Sequence, residues 1–137
     1  STRKESSAAS DVYKRQAPNL FIIYVTDIAA STEFYSELFE MDPHFTSPRF
    51  VEFRVAAGVG LALWSGKAES IPSATGRTSE VCLNLPGGPE VIEQQHRRWC
   101  DLGVPIVQGP HNDVFGRTFV AQDPDGNLLR VAPVDSE

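Results

Sequence analysis

The sequence predicts an α+β fold made of two βαβββ modules, whose curved mixed sheets enclose a cleft. Three observations lead there. The order strand, helix, three strands is written twice along the chain, and a fixed-order repeat is stronger than any single strand assignment. The two helical segments start about sixty residues apart, at Ile28 and Pro89. A small, polar stretch with Gly and Pro, "GKAESIPSATGRT", divides the copies. Each module would carry its helix on the outer face of its sheet. The inner face then has to meet another module, and ligands would sit there.

The elements follow in order. "NLFIIYV" is a strand ended by Thr26-Asp27. Asp27 suits a helix N-cap, because its carboxylate can accept from the open N–H groups of the first turn. "IAASTEFYSELFE" then puts Ile28, Phe34, Tyr35, Leu38 and Phe39 on one helical face, and Met41-Asp42-Pro43 stops it. "HFTSPR", "FVEFRVAA" and "GLALWSG" read as a three-stranded meander broken by Pro48 and Gly58-Val59-Gly60. In the second copy "SEVCLNL" is a strand. "GGPEVIEQQHRRWCDLG" is a helix with Pro89 in its first turn and Gly103 as its stop. Val91, Ile92, Gln95, Trp99 and Leu102 mark its inner face, and His96 its surface. "VPIVQGP", "RTFVAQD" and "NLLRVAP" close the module as strands. Between the first two, "NDVFGRT" reads as a loop that Arg117 and Phe119 hold against the sheet. His44 and His111 also read as loop residues.

The expected organisation is a single domain over 18–135: module one at 18–66, a linker at 67–78 and module two at 79–135. Residues 1–17 read as a leader. They are polar, without a period, and lack the apolar stretch of a secretory signal. The 137 residues suffice for one domain with a core. The net charge of −6 argues against a nonspecific nucleic-acid binder, which needs clustered Lys and Arg. No apolar run approaches the roughly 18 residues of a membrane helix. Cys82 and Cys100 lack the spacing of a metal pair and read as free thiols in a reducing, cytoplasmic compartment.

The last strand raises a question of its own. In "DPDGNLLRVAP" a charge, Arg130, interrupts an apolar strand. If Leu129 and Val131 face the helix, Arg130 faces the cleft, because successive strand residues alternate sides. Glu80 would face it too. The two either pair with each other across the cavity floor or meet polar groups of a ligand.

The order of elements, the Asp27-x-x-x-Ser31-x-x-Phe34-Tyr35 motif and the Asp-Pro-Asp-Gly-Asn turn resemble the vicinal-oxygen-chelate superfamily. That group includes glyoxalases, extradiol dioxygenases, fosfomycin-modifying enzymes and bleomycin-sequestering proteins, and the resemblance spans about residues 18–135. It implies the glyoxalase/bleomycin resistance fold, and in the enzymes a divalent metal held by His, Gln and Glu on the inner strand faces. In this chain those positions fall on Leu20, Glu80, Arg130 and a residue of "LALW". A divalent ion needs about three protein donors, and an arginine at the site repels it. The expectation is therefore no metal, no other cofactor and no catalytic residue.

Within the superfamily, "PNLFIIYV", "SPRFVEF", "LALWSG" and "NDVFGRTFVAQDPDGNLLRVAP" resemble the phenazine antibiotic resistance proteins. These are metal-free binders that sequester a tricyclic aromatic antibiotic. The resemblance implies a homodimer around a planar aromatic ligand, with no nucleic-acid or membrane partner. The residues suit that role. Trp64 is the candidate stacking platform, Tyr24 is inward in the register of Leu20, and Phe45 and Phe115 lie near the rim. Arg49 or Arg130 would meet a ligand carboxylate. Asp113 would accept from a ligand N–H or O–H, and Glu80 would take a polar group. Each has a plainer reading: Trp64, Tyr24 and Phe45 as core, Phe115 as a loop anchor, Arg49 as a solvated turn charge, Asp113 as a local cap. Against sequestration stand a metal-dependent glyoxalase-like or dioxygenase-like enzyme, and a metal-free enzyme with Glu80 as base. A different flat cargo, such as a glycopeptide-like or quinone drug, also fits the cleft.

Overall fold

The computed structural model describes residues 17–66 and 79–134. The expected linker at 67–78, the expected leader save Ala17, and residue 135 lie outside the described residues. The first module runs β1 (Leu20–Tyr24), α1 (Ile28–Phe39), β2 (Phe45–Thr46), β3 (Phe50–Ala56) and β4 (Val59–Trp64). The second runs β5 (Glu80–Leu85), α2 (Pro89–Asp101), β6 (Ile106–Asp113), β7 (Gly116–Gln122) and β8 (Leu128–Pro133). Sheet one has the order β1-β4-β3-β2 and sheet two β5-β8-β7-β6. In each sheet the first strand pairs parallel with the last, and the other pairs are antiparallel. The α+β fold of two βαβββ units with mixed sheets is the one the repeat predicts.

Local chemistry sets the helices. Asp27 caps α1 by accepting from the Ala30 N–H at 3.1 Å. The helix ends at Glu40, and the Met41 N–H donates to the Ser36 carbonyl at 3.2 Å. Tyr35 and Leu38 are buried, with Ile28, Phe34 and Phe39 packed beside them, and α1 lies on β3 and β4. There Val51, Phe53, Leu61 and Leu63 form the matching strand face. In the second unit Ile92 and Trp99 of α2 meet Phe119, Leu129 and Val131. The Trp99 and Phe119 rings meet edge to face at 5.4 Å. Burying each large apolar side chain contributes about 1.5–3 kcal/mol, and both units feed one continuous core.

The two motifs that carry the resemblance are what join the units. Asp123 is buried, and its Oδ1 accepts from the Asp125 and Asn127 N–H groups at 2.9 and 2.7 Å. Its Oδ2 accepts from Asn127 Nδ2 and, across the units, from the Tyr35 hydroxyl at 2.8 Å. Thr26 donates through its hydroxyl and its N–H to Asp125, at 2.7 and 3.1 Å. Asn127 Nδ2 also reaches the Tyr24 carbonyl at 3.1 Å. Burial, and then the Asp123 charge beside it, drive the Tyr35 hydroxyl far above its ordinary pKa, so it stays a proton donor.

Several expectations need correction. The strand expected over "HFTSPR" shrinks to Phe45–Thr46, because the Ser47 N–H turns back to the Phe50 carbonyl at 2.9 Å and Pro48 has no N–H to give. "NDVFGRT" is not a loop: β6 and β7 run through it, Asp113 pairs with Gly116, and only Val114 and Phe115 form the turn. Gly116 has φ 93°, which a side chain would resist. His111 is accordingly a strand residue. Arg117 bonds Glu93 on α2 at 2.8 Å and reaches Asn112 Oδ1 at 3.5 Å, so it ties the base of this hairpin to the helix, whereas Phe119 is core. Leu102 is exposed because it caps α2 rather than continuing its inner face. His96 is half-buried, its ring 5.1 Å from that of Phe119.

Candidate functional site

Strand alternation turns one face of each sheet towards its helix and leaves the other open. On sheet one the register lines up three rows on the open face. Tyr24, Trp64 and Phe50 form the first, Ile22, Ala62, Glu52 and Phe45 the second, and Leu20, Gly60 and Arg54 the third. Leu20, Ile22, Tyr24 and Phe45 are all exposed, at 42%, 46%, 45% and 52% of their full surface. Four large apolar side chains aligned on one face and left in water form a patch of the kind that binds something.

Trp64 is held at the end of this floor. Its carbonyl accepts from the Val25 N–H at 3.0 Å, and the next residue, Ser65, donates to the Arg49 carbonyl at 3.0 Å. The Tyr24 and Trp64 rings meet edge to face, 5.8 Å apart. Phe45 and Phe50 are tilted at 6.4 Å. Arg49 stands exposed in the turn between β2 and β3. The expected platform residues Tyr24, Phe45 and Trp64 thus share one surface, with Arg49 at its rim.

Sheet two has a different character. Arg130 faces its open side and reaches both carboxylate oxygens of Glu80, through Nε to Oε1 and through Nη2 to Oε2 at 3.3 Å. Arg130 also donates to the Thr118 hydroxyl at 3.2 Å, and its guanidinium lies 4.6 Å over the Phe115 ring. Cys82 is the register partner of Arg130. Burial and the nearby Glu80 push its thiol above the usual range, against a smaller opposing pull from Arg130, so it is a poor nucleophile. Asp113 accepts from the Val114 N–H at 2.7 Å, the local capping use of an aspartate. The thiol–imidazole contact of Cys100 with His96, at 3.5 Å, lies on α2, across sheet two from this open face.

Of the eight residues singled out in the sequence, four gather on or beside sheet one and four on sheet two. The pairing of Arg130 with Glu80 is the plainer of its two sequence readings. The positions where the superfamily's enzymes hold a metal do not fit one here. Leu20 offers no donor, nor does the "LALW" strand, and Glu80 is already engaged by Arg130. Among the described residues no three His, Cys, Asp or Glu side chains gather as a donor set.

Sequence reasoning missed Glu52 and Phe50 on the floor, Arg54 with its bond to His44 Nε2 at 2.8 Å, and Thr118 beneath Arg130. The signal was available in the alternation of "FVEFRVAA": once Val51 and Phe53 are taken as core, Phe50, Glu52 and Arg54 must face the other way.

This doubled arrangement, with open inner faces, defines a known class. The chain matches the Glyoxalase/Bleomycin resistance protein/Dioxygenase superfamily over residues 17–131 and belongs to it. It is 37% identical over 121 residues to the phenazine antibiotic resistance protein EhpR of Enterobacter agglomerans, covering 86% of this chain and 92% of that one. The solution structure of protein ATC0852 from Agrobacterium tumefaciens has 35% identity and a TM-score of 0.76, over 88% of this chain and 99% of that one. The fosfomycin resistance protein FosX of Listeria monocytogenes has only 16% identity but a TM-score of 0.71, over 88% and 94% of the two chains, and shares the fold.

Proposed function

We propose that this chain sequesters a planar aromatic antibiotic, such as a phenazine, without a metal, and so confers resistance by lowering the free drug. The observation that carries the reading is the uncovered aromatic floor of sheet one. A flat ligand stacked there would gain about 0.5–1.5 kcal/mol per ring pair beyond its buried area. Trp64 is the platform, Tyr24 and Phe45 flank it, and Arg49 stands at the rim. Phe115, Asp113, Glu80 and Arg130 present the facing wall from sheet two. Likeness to EhpR supports a small aromatic ligand.

The working unit in this reading is a homodimer. Sheet one of one protomer faces sheet two of its partner, which covers the exposed Leu20, Ile22 and Tyr24. The protein would act in the cytoplasm, where Cys82 and Cys100 stay reduced. Among the described residues no helix is long and apolar enough to cross a membrane.

The test is equilibrium dialysis of the purified protein against phenazine, read by phenazine absorbance. It is run with a chelator and again with added Zn²⁺ or Mn²⁺. Saturable binding that ignores metal and weakens on the order of tenfold in Trp64→Ala is expected. Binding or turnover that appears only with metal would overturn the reading and favour an enzyme.

A further inference from the structure

Glu52 sits in the middle of the aromatic floor. Across the register it lies between Ala62 and Phe45. Its carboxylate folds over Gly60, where a Cβ would fall inside it and come within 3.1 Å of Leu20 Cδ1. Glycine at this position therefore makes the space in which the carboxylate rests. Among the described residues no hydrogen bond or ion pair engages that carboxylate, although the Glu52 backbone carbonyl accepts from the His44 N–H at 2.7 Å. Arg54, two residues along on the same face, is turned away to His44 Nε2.

A half-buried carboxylate beside apolar side chains has lost part of its hydration without gaining a partner. The facing wall does not supply the missing positive charge. Arg130 is only 12% exposed in its side chain and is already matched by Glu80. Arg49 stands at the rim in water, where its field is screened within about 10 Å at moderate salt. A ligand stacked on Trp64 therefore meets the Glu52 carboxylate in the next row of the floor, while the exposed Arg54 lies one row further and is turned to His44.

We infer that the aromatic ligand of this cleft carries a cationic or N–H-donating edge, which Glu52 receives from the floor of sheet one. The inference rests on the sequestering function proposed above and narrows its ligand class. A carboxylate-bearing aromatic would place like charges together on a surface of low polarity, where they repel more strongly than in water.

Three flat probes of similar size separate the possibilities: phenazine, which is neutral; phenazine-1-carboxylate, an anion; and 5-methylphenazinium, a permanent cation. Equilibrium dialysis at about 0.15 M salt keeps long-range steering small. 5-Methylphenazinium should bind tighter than phenazine by on the order of tenfold, with the carboxylate weakest. Glu52→Gln should bring 5-methylphenazinium down to the level of phenazine and leave phenazine unchanged. Glu33→Gln, on the exposed face of α1, should change none of the three, which separates the floor carboxylate from the overall charge of −6. Equal binding of cation and neutral probe, tightest binding of the anion, or a cation preference that survives Glu52→Gln would overturn the role of Glu52 while leaving aromatic sequestration standing. Binding of none of the three would overturn the sequestering function itself.

Discussion

Arg130 and Glu80 lie on adjacent parallel strands, two residues out of register and so on the same face, and the guanidinium spans that offset to hold both carboxylate oxygens. The fork geometry suits the span, and the Phe115 ring covers the cation from the turn between β6 and β7. The pair puts a charge into the last strand at no net charge to the wall.

Breaking that pair from one side should therefore cost more than removing it. Glu80→Gln leaves a mostly buried guanidinium without its counterion. Full burial would make this a loss of about 3–5 kcal/mol, but Glu80 is one-third exposed, so about 1–3 kcal/mol is expected. The double variant Glu80→Leu with Arg130→Met should recover most of that. Urea midpoints of Glu80→Leu, Arg130→Met and the double give the coupling directly. A double variant as unstable as the sum of the singles would show that the two residues act independently.

Tyr35 and Asp123 predict an alkaline limit. An unfolded tyrosine loses its proton near pH 10, while burial and Asp123 hold it on the folded Tyr35 to much higher pH. The folded state then binds a proton that the unfolded state has released. The contribution is complete below about pH 10 and is lost progressively above it. Tyr35→Phe should cost about 1–2 kcal/mol near neutrality, because Asp123 keeps its three other donors. Above pH 10 the gap between variant and wild type should narrow. Urea midpoints from pH 7 to 11 would show it, and a gap that stays constant through pH 11 would contradict the assignment.

Much of this was legible in the sequence because repeated hydrophobic spacing writes the core twice. The Asp27 cap follows from a carboxylate placed just before a periodic run, the inward Ile92 and Trp99 follow from helical period, and the open-side placement of Tyr24 and Arg130 follows from strand alternation. The turn at Val114-Phe115 was harder. Its strands carry Gly109, Pro110, Asn112 and Asp113, residues that locally favour loops, and only pairing with β7 makes them a strand. Glu52 was overlooked for a related reason. A charged residue in a strand reads as solvated until the strand's other face is known to be core. Whether Arg130 meets Glu80 or a ligand depends on a contact fifty residues away in sequence, which no local pattern encodes.

The two tryptophans should report on the two environments separately. Trp99 is fully buried against Phe119, whereas Trp64 is half-exposed on the open floor. Iodide, which does not enter a protein core, should quench the Trp64 share of the emission and spare Trp99. In Trp64→Phe the remaining emission should be blue-shifted and almost insensitive to iodide. Strong quenching in that variant would place Trp99 near solvent and contradict the packing of α2.

The uncovered row on β1 gives the last expectation. Ile22 is 46% exposed in a single chain, and its neighbours Leu20 and Tyr24 are equally bare. If a second copy covers this row, a charge there must be buried on assembly, at a cost of several kcal/mol for an unpaired ion. In the separate chain the same charge points into water and should change stability by less than about 1 kcal/mol. Ile22→Glu should therefore convert a dimer to a monomer in sedimentation equilibrium while leaving the urea unfolding slope close to that of a folded single chain. It should also weaken phenazine binding, because the wall contributed by the partner is lost. A variant that stays dimeric would show that the two copies meet elsewhere, and a monomer that binds phenazine as well as wild type would show that sheet one holds the ligand unaided.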